Sequence, residues 1–193
     1  MARTPSTMLE LGTPAPDFSL EDVVTGRAVT LSGLPEGQPV LVAFWCNHCP
    51  FVLHVEEGFV DFAREYAGKG LQVVTICSND AEHYPQDGPE EMRARANARG
   101  YPFPYLFDED QEVAKAYRAA CTPDLFLFGP ARTLVYRGQF DGSRPGNDVP
   151  VNGADLRAAV DAVLAGEGPV RDQRPSLGCN IKWRPGNEPD YYG

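Results

Sequence analysis

Apolar and polar positions alternate along the chain in two distinct rhythms. Pro39-Val-Leu-Val-Ala-Phe-Trp45 and Leu71-Gln-Val-Val-Thr-Ile-Cys77 are apolar almost throughout over a strand's length, the pattern of strands covered on both faces. Between them Val52, Val55, Phe59, Phe62 and Tyr66 recur three and four positions apart, with Glu56, Glu57 and Asp61 off the stripe. That spacing predicts an amphipathic helix. Pro50 suits its first position, and Gly68 and Gly70 end it. A strand, helix and strand of this size imply a parallel pair with a right-handed crossover.

The rest of the chain continues the same alternation. Residues 14–34 read as a small N-terminal hairpin. Pro89-Glu-Glu opens a helix that Gly100 closes, and Phe103-Pro-Tyr-Leu-Phe107 is a short strand. Asp108 with Gln111 three residues on predicts a capping box for a helix running to about Ala119. Leu125-Phe-Leu-Phe128 and Thr133-Leu-Val-Tyr-Arg137 flank the turn signal Gly129-Pro130-Ala131-Arg132. A last helix starts near Asn152 and carries Leu156, Val160, Val163 and Leu164 on one face. The predicted fold is α/β, three layers around a central mixed sheet, with an N-terminal β-hairpin extension. Residues 1–165 form the domain. From 166 to 193 the chain is rich in Gly, Pro and Arg without periodicity, an irregular C-terminal tail in which Trp183, Tyr191 and Tyr192 supply the docking surface.

Composition narrows the class of protein. Of 193 residues, 42% are hydrophobic and 23% charged, which is globular. No apolar run approaches the ~20 residues of a membrane span. A net charge of −10 without a basic cluster argues against a nucleic-acid partner. The first residues, Met-Ala-Arg-Thr-Pro-Ser-Thr-Met, lack the apolar stretch of a secretory signal, so a cytoplasmic location without a membrane partner is expected.

Five cysteines are too few and too odd a number for a disulfide scaffold. Cys77, Cys121 and Cys179 are scattered, whereas Cys46 and Cys49 form a C-x-x-C at the junction of the buried strand and the long helix. A helix start favours thiolate, and two sulfurs on such a turn can cycle between dithiol and disulfide. Zinc would need a second pair of ligands, and haem attachment would need His after the second Cys, where Pro50 stands. No metal or other cofactor is therefore expected. Cys77, inside the second strand, reads as an inert core thiol. Cys121 precedes a Thr-Pro step and should lie near the redox pair. Cys179 sits in a tail that could fold back over the body.

These residues resemble the thioredoxin-like superfamily, in its redoxin (AhpC/TSA) branch related to peroxiredoxins and TlpA-type reductases. The resemblance rests on Gly12-x-x-Ala15-Pro16-Asp17-Phe18-x-Leu20 and on Phe44-Trp45 with Cys46-x-x-Cys49-Pro50. Phe103-Pro104-x-Leu106-x-Asp108, Val113-Ala114-x-Ala116-Tyr117 and Thr122-Pro123 before Leu125 extend it over roughly residues 9–165. It implies that Cys46 and Cys49 are the catalytic pair, that Thr122 and Pro123 bind substrate, and that the Thr122–Pro123 bond is cis and faces the pair. Counted from Phe44-Trp45, Cys49 takes the first-cysteine place of TlpA-like proteins, and Cys46 is an upstream partner. In the peroxiredoxin frame Cys49-Pro50 matches the peroxidatic Cys-Pro step. There, however, Cys46 replaces a peroxide-holding Thr or Ser, and Pro123 stands roughly where an Arg belongs. Ala43 occupies the place of the buried acid of thioredoxins, for which Glu56 or Glu57 could substitute unless they simply form a solvated helix face.

The resulting expectation is a thiol–disulfide oxidoreductase acting on a disulfide-bearing protein or small thiol, regenerated by an unidentified thiol donor. The alternatives are a peroxiredoxin-like peroxidase with Cys49 peroxidatic and Cys46 resolving, and a redox-sensing binding protein. Pro50 beside Cys49 favours Cys49 as the attacking thiol, while the usual order within a C-x-x-C favours Cys46.

Overall fold

The computed structural model describes residues 3–192. In chain order the elements are β1 (Thr4–Pro5), β2 (Ser19–Asp22), β3 (Ala28–Thr30), β4 (Val40–Phe44), α1 (Pro50–Ala67), β5 (Gln72–Cys77), α2 (Pro89–Arg99) and β6 (Tyr105–Phe107). They continue with α3 (Glu112–Ala116), β7 (Cys121–Thr122), β8 (Asp124–Phe128), β9 (Leu134–Gly138), α4 (Ala154–Leu164) and β10 (Leu177–Asn180). A single 3-10 turn, Pro85–Asp87, lies between β5 and α2.

Seven strands form the central sheet in the order β3-β2-β6-β5-β4-β8-β9. The pairs β4–β5 and β5–β6 are parallel, as crossovers through α1 and α2 require, and the remaining pairs are antiparallel. The predicted N-terminal hairpin is β2–β3, and its β2 also pairs with β6. Strand β4 is buried along its whole length and serves both faces of the sheet. Leu41 and Ala43 pack with the buried stripe of α1 and with Leu156 and Val160 of α4. Val40, Val42 and Phe44 pack on the opposite side with Val74, Ile76, Tyr117 and Phe126. This two-sided burial is why the β4 sequence reads as a continuous apolar run.

Two local expectations are corrected. The capping box at Asp108 and Gln111 does not form. Asp108 instead accepts the N–H groups of Val113 and Ala114. Gln111 adopts a left-handed conformation, and its side chain turns away to the carbonyls of Ser78 and Lys182. The helix therefore starts late and spans only Glu112–Ala116 rather than reaching Ala119. The tail is irregular except for β10, which enters a second, three-stranded antiparallel sheet between β1 and β7. Ile181 and Trp183 beyond it are buried in the core layer below the central sheet. No described helix is both long and apolar enough to cross a membrane.

Candidate active site

The chain leaves β4 at Phe44 and starts α1 at Pro50, and the C-x-x-C fills the turn between. Cys49 is the N-cap residue of α1, with Pro50 at its first position. Cys49 therefore sits at the positive end of the helix. The Thr122–Pro123 bond is cis. It lies where the chain passes from β7 into β8, and β8 pairs with β4. Register thus brings Thr122 to the cysteines: its carbonyl oxygen lies 3.0 Å from Cys49 Sγ, within reach of a hydrogen bond when that sulfur is protonated, and its Oγ1 lies 3.3 Å from Cys46 Sγ.

Both predicted thiols are buried, with Cys49 0% and Cys46 1% exposed. Beside them stands a third thiol. Cys179, on β10, is the register partner of Thr122 and belongs to the same buried cluster as Cys46 and Cys49. Its donated hydrogen bond is the largest reason that the Cys49 thiol is held far below its ordinary value. A bond from Cys46 adds to this, burial opposes it, and the Val52 N–H and the Thr122 side chain reinforce it. The partners respond in the opposite sense. Burial, then its bond to Cys49, then the charge of Asp87 push Cys46 up. Cys179 is pushed up first by its bond to Cys49 and then by burial. The lowering at Cys49 and the raising at Cys46 and Cys179 are two sides of the same coupling among the three thiols. Cys77 and Cys121 are fully buried, and burial raises both.

Asp87, which no motif marks in the sequence, holds the turn. Its fully buried carboxylate accepts the Asn47 N–H at 2.8 Å and the Asn79 side chain at 2.8 Å, and pairs with His48 Nδ1 at 2.5 Å. The His48 ring also stacks on Tyr84. Donor atoms of Cys46, His48 and Asp87 lie within 4.8 Å of one another, the only such grouping of three or more among the described residues. It is one ligand short of a structural zinc site, and both Asp87 oxygens already accept hydrogen bonds.

Glu56 is not part of a solvated face. It is 4% exposed, chelated by Arg95 through two bonds of 2.7 and 2.6 Å, and accepts the Tyr101 hydroxyl at 2.6 Å. Tyr101 in turn accepts the Trp45 indole N–H. Glu56 thus anchors the residue that precedes Cys46, while Glu57 is exposed. Only the combination of an apolar flank with a cysteine at Leu177-Gly178-Cys179 could have hinted at the third thiol.

The sheet order and the cis-proline loop facing the cysteines make this a thioredoxin fold. A solved structure of a hypothetical protein from Sinorhizobium meliloti 1021 is 54% identical, with a TM-score of 0.93 over 95% of this chain and 100% of that one. "Thiol-disulfide oxidoreductase ResA" of Oceanobacillus iheyensis is 27% identical over 62% of this chain, and the match spans 60% of that protein's length. A protein of Mycobacterium tuberculosis named as a candidate peroxiredoxin is 32% identical over 60% of this chain and 68% of its own. The family model for AhpC/TSA matches residues 11–137, taking in the N-terminal hairpin, the C-x-x-C turn and the cis-proline loop, and the chain belongs to the AhpC/TSA family.

Proposed function

We propose that this redoxin-family protein is a thiol–disulfide oxidoreductase in which Cys49 attacks and Cys46 resolves. One observation carries the reading: both buried sulfurs lie against Thr122 of the cis-proline step, with Cys49 at the N-cap of α1. The Cys49 thiolate attacks one sulfur of a substrate disulfide and forms a mixed disulfide, expelling the other sulfur as a thiolate. Cys46 Sγ then attacks Cys49 Sγ, closes the Cys46–Cys49 disulfide and releases the second substrate sulfur. The Cys46 proton goes to that leaving thiolate, and the buried Asp87 carboxylate favours its departure. The substrate disulfide gains two electrons, which an external thiol donor restores to the pair. Thr122 and Pro123 form the surface against which the substrate sulfur is held. The substrate is a disulfide-bearing protein or a small disulfide, and the proposed setting is the cytoplasm, a reducing compartment suited to five free thiols.

A peroxidase reading draws on the same low-affinity thiolate followed by Pro50, in which peroxide would oxidise Cys49 to sulfenate and Cys46 would condense with it. Insulin-disulfide reduction and hydrogen-peroxide consumption, both with dithiothreitol, separate the two. The oxidoreductase reading expects insulin reduction that Cys49→Ser abolishes. Peroxide consumption without insulin reduction would reassign the protein as a peroxidase. Neither activity, with a reversible Cys46–Cys49 disulfide, would leave a redox-sensing binding protein.

A further inference from the structure

The reaction above uses two of the three sulfurs gathered at the head of α1. The third is fixed there as firmly as the other two. Strand β10 pairs with β7 so that Cys179 lies directly opposite Thr122 and Asn180 opposite Cys121. Side chains of directly opposed residues project to the same face, the face on which Thr122 Oγ1 meets Cys46. Gly178 passes so close to the redox loop that a Cβ there would lie 2.0 Å from the Thr122 carbonyl oxygen. That same oxygen lies 3.0 Å from Cys49 Sγ. One peptide group therefore locks the tail strand, the cis-proline loop and Cys49 together. Cys179 is also the least covered of the three, at 8% against 1% for Cys46 and 0% for Cys49.

We propose that Cys179 is a third redox thiol of this site, forming a disulfide with Cys49 during turnover. The proposal rests on the reading of Cys49 as the attacking thiol and inserts a step ahead of Cys46, so that Cys179 releases the substrate and Cys46 closes the final disulfide. Once Cys49 is joined to a substrate sulfur, Cys179 Sγ attacks Cys49 Sγ. The Cys49–Cys179 bond forms, the bond to substrate breaks, and the substrate leaves as a thiolate that takes up the Cys179 proton. Cys46 Sγ then attacks Cys49 Sγ, forming Cys46–Cys49 and returning Cys179 to the thiol with the Cys46 proton. The two electrons gained by substrate come, in sum, from the Cys46–Cys49 pair. The order follows from access. Cys179 is the least covered of the three sulfurs and meets the mixed disulfide first. Cys46 lies deeper, against the Thr122 hydroxyl and the Asp87 charge, and moves second.

Reduced Cys46→Ser and Cys46→Ser/Cys179→Ser proteins treated with the chromogenic disulfide 5,5′-dithiobis(2-nitrobenzoate) test this, with linked and modified peptides mapped by mass spectrometry. Cys46→Ser is expected to release two thionitrobenzoates for each Cys49 modified and to yield a Cys49–Cys179 linked peptide. The double variant is expected to release half as much and to retain the adduct on Cys49. A Cys46→Ser protein that keeps the Cys49 adduct, with Cys179 still free to alkylate, overturns the role of Cys179 and leaves Cys49 as the attacking thiol. No adduct on Cys49 in either variant overturns both readings. Should the double variant fail to fold, the Cys46→Ser protein oxidised with limiting diamide and quenched in acid replaces it. A Cys49–Cys179 peptide is then expected, and Cys49 and Cys179 both still free to alkylate overturn the proposal.

Discussion

Cys46 and Cys49 are the same functional group three positions apart, and their surroundings drive their proton affinities in opposite directions. The helix terminus contributes ~0.3–1 kcal/mol at an exposed site, less than the ~1.4 kcal/mol of one pKa unit. The larger share of the Cys49 shift comes from the Cys179 and Cys46 thiols that donate to it. A lowered pKa means that Cys49 is already a thiolate at pH 6, so its alkylation rate should be flat from there to pH 8. A thiol at the ordinary ~8.5 would speed up roughly 75-fold over that interval. Cys179→Ala removes the first donor and should restore part of that slope. Iodoacetamide kinetics followed by peptide mapping measure both, and a 75-fold rise in the wild type would refute the low affinity. Asp87→Asn tests the other side of the pair. It removes the charge that helps to keep Cys46 protonated and turns an acceptor into a donor against Asn79. A cost of about 1–3 kcal/mol in stability is expected from the unpaired buried groups. The pH profile of Cys46 alkylation in the Cys49→Ser background should shift to lower pH. An unshifted profile would confine Asp87 to a structural role.

At the next level up, elements place these atoms. α1 begins where it does because Pro50 has no N–H to lose and Cys49 is extended at the N-cap. β10 reaches the site because residue 178 has no side chain. A Cβ at Gly178 would collide with backbone, at 2.0 Å from the Thr122 oxygen and 2.6 Å from its carbon, and backbone cannot swing aside. Gly178→Ala should therefore pry β10 from β7 at a cost of about 1–3 kcal/mol, the usual range for overpacking. Native Cys49 and Cys179 should alkylate faster in that variant, while Cys77, in the central sheet, should not. Urea unfolding with alkylation kinetics decides it, and unchanged stability would mean that the strand is held elsewhere.

Over the whole molecule, a buried ion pair ties the cis-proline loop to the far edge of the sheet. Arg137 on β9 and Asp124 on β8 are both fully buried, with Nη2 3.0 Å from Oδ2. Asp124 also accepts the Ala120 N–H, and Arg137 donates to the Arg118 carbonyl and lies 4.2 Å from the Phe126 ring centre. The segment leading into Cys121 and Thr122 is thus pinned from both sides. Arg137→Met leaves Asp124 buried without its partner and should cost about 3–5 kcal/mol in urea unfolding. Adding Asp124→Leu should recover much of that loss, because the pair as a whole repays little beyond its own desolvation. A double variant no better than the single one would show that the hydrogen bonds to Ala120 and Arg118 matter more than charge.

The parts of this protein that were legible in its sequence are those that local periodicity encodes. The run through β4, the stripe of α1 and the glycine after α2 each express a contact repeated every two to four residues, and each element formed where it was read. The position of the C-x-x-C at a strand-to-helix junction has the same local origin. The cis Thr122–Pro123 step came from resemblance instead, since nothing local distinguishes it from a trans loop. Asp87 escaped, and Glu56 was left open between a buried acid and a solvated face, because a carboxylate's partners are chosen in space: Asn47 is 40 residues from Asp87, and Arg95 is 39 from Glu56. The capping box at Asp108 failed for the same reason, with Gln111 recruited by carbonyls 33 and 71 residues away. Cys179 lies furthest from any local signal, in a segment without periodicity. Its place beside Cys49 depends on β10 finding the edge of β7, a pairing whose energy comes from backbone hydrogen bonds that every sequence carries and only the folded chain aligns.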